Sequence, residues 1–280
     1  MAALAGGDCT LMSLENARPL IVVTNDDGVD SPALIPLRDA LAPLGEVKIV
    51  VPDRNRSGAA RSITMRSPLW VEEVELADGS MAYATDGTPV DCVRMAALGL
   101  LDREPDLIVS GVNLGENLGD DITYSGTVAA ALEGIMLDTP AVALSAHGYH
   151  PGYDLAVPAR FARVLVELII SKGFPTKTLL NVNVPDRPWA DLAGTKFTTL
   201  GRRIYGDKVE YRETHGRRRR FHIYNDDLSY HSEPGTDFDA VAEGFISITP
   251  LHFDLMSHGA LELLRCWQSD LDLTSNEGDG

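Results

Sequence analysis

Cysteine is scarce in this 280-residue chain. The three present, Cys9, Cys92 and Cys266, are widely spaced and form no CxxC pair. An odd, scattered set argues against a disulfide framework and a thiolate metal centre, and for a reducing compartment. Basic residues are also few, 24 Lys and Arg against 41 Asp and Glu, for a net charge of −17. A chain so acidic lacks the basic face that a duplex nucleic-acid binder needs to release phosphate counterions. A small anionic substrate stays within reach, because one bound cation reverses the local field. Long apolar runs are missing too, and none is long enough to span a bilayer, so no membrane partner is expected. The N-terminal stretch has no basic n-region, and Asp8 interrupts its short apolar part, which argues against a signal peptide. The cytoplasm is the expected location. Residues 1–18 read as a flexible extension, with Met12 as an alternative start.

What is present has the texture of a soluble globular protein, 44% hydrophobic and 23% charged. The length allows one large domain or two small ones, each with a substantial core. Residues 20–24, LIVVT, form a continuous β-branched run expected of a strand buried on both faces. A helical pattern at 32–45 and a second strand at 46–51 follow, which is the βαβ rhythm of a parallel sheet. Strand-like segments at 69–76 and 81–85 flank Asp78-Gly79, a hairpin turn. Helices are expected at 89–101, 127–137, 155–172 and 258–268, and strands at 106–110, 141–145, 179–184 and 245–249. Residues 197–224 read as long polar strands around a turn at Gly216, with little to bury. Such a hairpin is marginal alone, so it is expected to project and pack against another subunit. The organisation is one α/β domain over 19–270, a β-hairpin arm at about 197–230 and a flexible tail at 271–280.

The chemistry-bearing residues gather by position. Asp26 and Asp27 follow the first strand, Ser57 follows the second, and Asn113 follows the strand at 106–110. In a parallel sheet those loops share the carboxyl edge, where ligands bind. Two carboxylates, a hydroxyl and an amide oxygen make an all-oxygen donor set suited to Mg²⁺ or Mn²⁺. The plainer reading of Asp26-Asp27-Gly28 is a turn whose aspartate caps the next helix. An adjacent acidic pair at a buried strand end is costly without a cation, which favours the metal. Ser125, Gly126 and Thr127 open a helix whose unpaired N–H groups and dipole suit a phosphate, although a simple Ser/Thr cap would look the same. The glycine-rich loop before it, with Asn113, Gly115, Asn117 and Gly119, lets backbone approach a ligand closely. A metal clamp facing an anion pocket is equipment for attack on a phosphoryl group.

These residues lie in segments that resemble the SurE survival-protein family of metal-dependent 5′/3′-nucleotidases. VVTNDDGVDSPAL, VPDRNRSGAARSIT, GTPVDCV, SGVNLGENLGDDITYSGTVAAALEG, LLNVNVP and GTDFDAVAEGFISITPL occur in the family's order, from about Leu20 to the last helix. The resemblance implies a three-layer α/β/α fold with a mostly parallel, Rossmann-like sheet, a projecting arm and a C-terminal helix. It implies hydrolysis of nucleoside 5′- and 3′-monophosphates, with short polyphosphate as a further substrate. It also implies homodimers or homotetramers built by arm exchange. The family's metal ligands fall on Asp26, Asp27, Ser57 and Asn113, and its phosphate-side residues on Asn117, Ser125, Gly126 and Thr127. Asp26 and Asp27 become the catalytic pair. Ala33 stands where the family usually has glycine and Val51 where it has alanine, and neither replaces a ligand. The arm departs more, with Arg217, Arg218, Arg219, Arg220 and His222 where related chains are more aromatic and glycine-rich.

Two other functions compete. A haloacid-dehalogenase-type phosphatase needs a nucleophilic aspartate at the place of Asn25, and a nucleotide- or metal-sensing stress protein would bind without hydrolysis. His147 and His150 read as structural rather than as zinc ligands. The four arginines read as a solvated turn paired with acidic neighbours, the alternative being attraction of polyphosphate or RNA. Cys92 reads as a small core hydrophobe.

Overall fold

The central strands bury both faces, and this decides the architecture. In a computed structural model, which describes residues 10–14, 18–205, 208–223, 229–268 and 271, the run LIVVT is strand β1, Leu20–Thr24, with every residue buried. Ile21 and Val23 pack into one apolar cluster and Val22 into another on the opposite face. The chain continues through α1 (Leu34–Leu41), β2 (Glu46–Pro52), β3 (Val71–Glu75), β4 (Met81–Thr85) and α2 (Pro89–Met95). Next come β5 (Leu107–Asn113), α3 (Gly126–Met136), β6 (Ala141–His147), α4 (Ala156–Lys172) and β7 (Leu179–Pro185). The remaining elements are β8 (Thr195–Phe197), β9 (Glu210–His215), β10 (Arg218–His222), α5 (Asp237–Ala242), β11 (Ile246–Leu251) and α6 (His258–Leu264).

Nine strands form one sheet in the order β8-β11-β7-β6-β5-β1-β2-β4-β3. The six from β7 to β4 run parallel, while β11 is antiparallel to β7 and β3 to β4. Helices α1 and α4 cover the face of Ile21 and Val23 through Leu34, Leu37, Phe161 and Val166. Helices α2 and α3 cover the other through Cys92, Val93, Val128 and Ala131. This is the expected three-layer α/β/α arrangement, and Cys92 is a buried core residue. The chain leaves β1 towards β2 on one side, and β5 lies on the other. The sheet order therefore reverses between β1 and β5, and the carboxyl ends of these two strands flank the switch-point crevice.

Several boundaries differ from the sequence reading, each for a local reason. Helix α1 stops at Leu41, short of Pro43 and Gly45. Helix α2 starts with a capping box between Thr88 and Asp91, then widens into a π-turn at Ala96–Leu100 that opens at Gly99, φ 141°. The last helix ends at Leu264 and tightens into a 3₁₀ turn at Arg265–Trp267. Strands β5 and β6 run on to Asn113 and His147, so both residues end strands rather than lie in loops. The N-terminal extension is not wholly free, because Leu11–Met12 pairs antiparallel with Phe174–Pro175. Residues 1–9 and 272–280 lie outside the described residues.

The arm turns at Gly216, as expected, but its hairpin is shorter than the sequence suggested. It comprises β9 and β10, while Phe197 belongs to the sheet edge and Tyr224 lies outside the described residues. A second pairing, Arg203–Ile204 with Ser229–Tyr230, closes its root. Every residue of β10 is exposed. No helix among the described residues is long and apolar enough to cross a membrane.

Leu37 is fully buried under α1. Leu37→Ala should lower the unfolding free energy by about 2–5 kcal/mol, read by denaturant titration.

Candidate active site

The loop after β1 is built around its own asparagine. The Asn25 carboxamide accepts the Gly28 N–H at 3.0 Å and donates to the Gly28 carbonyl at 3.1 Å, which closes a tight turn. Gly28 adopts φ +92°, and a Cβ there would lie 2.5 Å from the Arg54 carbonyl carbon, so only glycine fits. Asn25 is thus occupied as a turn former, in the place where a covalent phosphatase would need its nucleophile. The turn carries Asp26, 3% exposed, and the half-buried Asp27 into the crevice between β1 and β5.

Helix α3 meets Asp26 end-on. The Thr127 hydroxyl donates to Asp26 Oδ1 at 2.5 Å. Gly126 has no room for a side chain, since a Cβ would lie 2.7 Å from Asp26 Cβ. Burial raises the Asp26 pKa, and the Thr127 hydroxyl together with the N–H groups of Thr127 and Gly126 pulls the other way. The sequence reading assigned both hydroxyls here to phosphate. The structure engages each of them within the protein, with Ser125 Oγ capping the helix by accepting the Val128 N–H at 3.1 Å. Ser125 keeps its hydroxyl proton to donate, while the Thr127 hydroxyl already donates its own to Asp26.

Asp27 accepts the Leu114 N–H at 3.0 Å, the residue immediately after Asn113. Its pKa is raised to about 6, first by burial and then by the neighbouring charge of Asp26, with the Leu114 N–H opposing. Neither aspartate makes an ion pair among the described residues; Arg54 and Arg56 pair with Asp53 instead. The loop bearing Ser57 is tied across the crevice. The Arg56 N–H donates to the Asp26 carbonyl at 2.7 Å, and Asn55 reaches Asp27 Oδ1 at 3.4 Å. Ser57 itself is exposed. Asn113 donates its amide to the Gly115 carbonyl at 2.9 Å, which leaves Oδ1 as its acceptor atom.

A buried and a half-buried carboxylate, neither in an ion pair among the described residues, therefore lie beside the strand end of Asn113 and the loop of Ser57, residues that bring an amide oxygen and a hydroxyl. That donor set fits a hard divalent cation, Mg²⁺ or Mn²⁺, and does not fit zinc. No group of three or more His, Cys, Asp or Glu side chains able to hold a metal occurs among the described residues, so such a cation would depend on the two neutral oxygens. His147 and His150 do not gather. The first lies 3.7 Å from Glu116 with its pKa lowered by burial, and the second bonds Asp186 at 2.8 Å.

Asn117 is held by residues that the sequence reading passed over. Its N–H donates to Asn183 Oδ1 at 2.9 Å. Its carbonyl accepts from the Asn181 and Asn183 amides at 2.8 and 2.9 Å. Its own amide donates to Ser145 Oγ at 2.8 Å. The signal was visible as polar residues interrupting two buried strands, LLNVNVP and AVALS.

A family model described as Survival protein SurE matches residues 21–207, which include every site residue from Asp26 to Thr127. The chain belongs to the SurE family. A relative from Rubrobacter xylanophilus, named 5′-nucleotidase SurE, is 48% identical over 257 residues, 88% of this chain and 96% of its own length. One from Chloroflexus aggregans with the same name is 47% identical over 249 residues, covering 89% and 98% of the two chains. The crystal structure of the SurE protein from Aquifex aeolicus superposes with a TM-score of 0.76 at 36% identity, over 89% of this chain and all of that one. The SurE fold and the three-layer architecture coincide.

A raised carboxyl pKa means that the native state holds a proton which the unfolded state has released. Metal-free protein should therefore lose about 1–2 kcal/mol as pH rises from about 4 through 6, after discounting for partial exposure. Asp27→Asn should lack the part of this loss that Asp27 contributes. Its stability advantage over the parent, measured in EDTA by thermal unfolding, should be present at pH 7.5 and vanish near pH 4.

Proposed function

We propose that this SurE-family chain is a divalent-metal-dependent phosphomonoesterase that hydrolyses nucleoside 5′-monophosphates. Nucleoside 3′-monophosphates and short polyphosphate are its further substrates. The observation that carries this reading is the pair of the buried Asp26 and the half-buried Asp27, side by side at the switch point with no ion pair to balance them among the described residues. The names of the relatives from Rubrobacter xylanophilus and Chloroflexus aggregans support the substrate class.

Asp26, Asp27, Ser57 and Asn113 would hold Mg²⁺ or Mn²⁺. The bound cation would supply positive charge to a phosphoryl oxygen and make water more acidic. The Thr127 hydroxyl and the end of α3 fix the orientation of Asp26 and oppose the rise in its pKa that burial causes. Asp27, ionised when it holds the cation, is the carboxylate placed to accept a hydrogen bond from water. Only one of its oxygens is engaged by backbone, and the other faces Asn55 at a long 3.4 Å, free to orient water. The Ser125 hydroxyl and the Asn117 side chain receive the phosphate at the crevice wall. Asn183, Asn181 and Ser145 keep Asn117 from rotating away.

The arm and α6 support a homodimer or homotetramer formed through the arm. Helix α6 buries none of its residues, and Leu263 and Trp267 are 76% and 57% exposed. A monomer rarely leaves such apolar groups uncovered together. Sedimentation should give a dimer or tetramer, and a chain lacking residues 209–222 should shift towards smaller species.

The catalytic reading is tested by phosphate release from AMP with Mn²⁺. Activity should vanish in EDTA and return with added Mn²⁺. Asp27→Asn and Asn113→Ala should each lower kcat/KM by at least about a hundredfold, with circular dichroism unchanged. Binding of AMP by calorimetry without any phosphate release would instead favour a sensor.

A further inference from the structure

The loop between β5 and α3 carries Asn117, and its two sides are held differently. Strands β6 and β7 grip the inner side through Ser145, Asn181 and Asn183. The outer side is gripped by the root of the arm. Arg203, whose side chain is 8% exposed, places its guanidinium 2.5 Å from Asp121 and 3.6 Å from Glu116. The Tyr205 hydroxyl donates to the other oxygen of Asp121 at 2.6 Å. The guanidinium lies 4.8 Å from the centre of the Phe238 ring, and that ring stacks on Tyr230 at 4.8 Å and 8°.

Beneath this cluster, the fully buried Asp237 joins the same two segments through their backbones. It accepts the Gly119 N–H of the loop at 2.7 Å and the Gly201 N–H at the entry to the arm at 2.8 Å. Nothing larger than glycine fits where they cross. A Cβ on Gly119 would lie 2.5 Å from the Gly201 carbonyl oxygen, and one on Gly201 would lie 2.6 Å from the Phe238 ring.

Glu116 and Asp121 flank Asn117, so one guanidinium fixes both shoulders of the segment that presents it. A planar fork does this with less loss of freedom than an ammonium, and removal of one partner from a buried pair leaves the other uncompensated. No hydrogen bond or ion pair links Arg203 or Asp237 to Asp26, Asp27, Ser57 or Asn113 among the described residues. We propose that Arg203 and Asp237 are positioning residues which lock the arm's root to the substrate loop and thereby set the affinity for nucleotide. The proposal rests on the phosphomonoesterase reading above and adds to it a dependence of substrate binding on the seating of the arm. Metal affinity should be spared, because Asp26 is held by α3, Asn113 ends strand β5, and the Leu114 N–H on Asp27 adjoins that strand end, outside the Glu116–Asp121 segment that Arg203 grips.

The test uses the full chain with Arg203→Met, Arg203→Lys, Asp237→Asn and the milder Tyr205→Phe. Phosphate release from AMP is measured across nucleotide and Mn²⁺ concentrations, and hydrogen exchange is followed in the peptide spanning 114–125. Arg203→Met should raise KM at least about tenfold with kcat within about threefold, while the Mn²⁺ half-saturation stays unchanged. Arg203→Lys should fall between it and the parent, and exchange in 114–125 should quicken in both. An unchanged KM in a folded variant, or loss of kcat and Mn²⁺ affinity with KM unmoved, overturns the proposal. Should Arg203→Met and Asp237→Asn fail to fold, Tyr205→Phe carries the same comparison. If the parent releases no phosphate, the catalytic reading fails on its own. Exchange then decides the junction: faster exchange in the variants upholds the lock between arm and loop, and unchanged exchange refutes it.

Discussion

Two carboxylates forced into one buried turn are the constraint around which this molecule is organised. Asp26 and Asp27 lie at the end of a strand with no solvent on either face, and no ion pair offsets them among the described residues. A protein keeps such a pair only where hydrogen-bond donors, or a bound cation, repay the lost hydration. The donors come from three separate places: the first turn of α3, the backbone after β5, and Asn55 in the loop after β2. The glycines of the site follow from the same demand, since Gly28 and Gly126 each stand where a methyl group would collide with backbone or with Asp26 itself.

The same crowding divides labour at the end of α3. A helix N-terminus is ordinarily a ready anion site, but here a carboxylate of the protein is already seated against it. A phosphate arriving at this crevice meets a resident negative charge as well as a dipole. On the proposed reading, the positive charge that draws it in would come from the bound cation, so the cation and the helix end would act as one site.

Much of this could be read from the sequence, and the reasons are local. Apolar strand runs, the βαβ rhythm and the Asp78-Gly79 turn depend on neighbours within a few residues, and all appear as expected. The placement of Asp26, Asp27, Ser57 and Asn113 on one edge followed from strand direction alone. Three things were not legible. The hydrogen bond from Thr127 to Asp26 depends on how closely a helix approaches a strand end. Asn181 and Asn183 looked like polar interruptions of a strand until the loop they grip was in place. Arg203 and Asp237 are 82 or more residues from the loop segments they hold, and no periodicity encodes such a pairing.

Far from the crevice, Glu133 sits buried on α3 between Arg61, at the end of the Ser57 loop, and Arg94 on α2. The helix that orients Asp26 at one end therefore anchors the Ser57 loop further along the same rod. Oxygen donors arising from distant stretches of chain share a common chassis. A shift of α3 along its axis would therefore carry Asp26 and the Ser57 loop together.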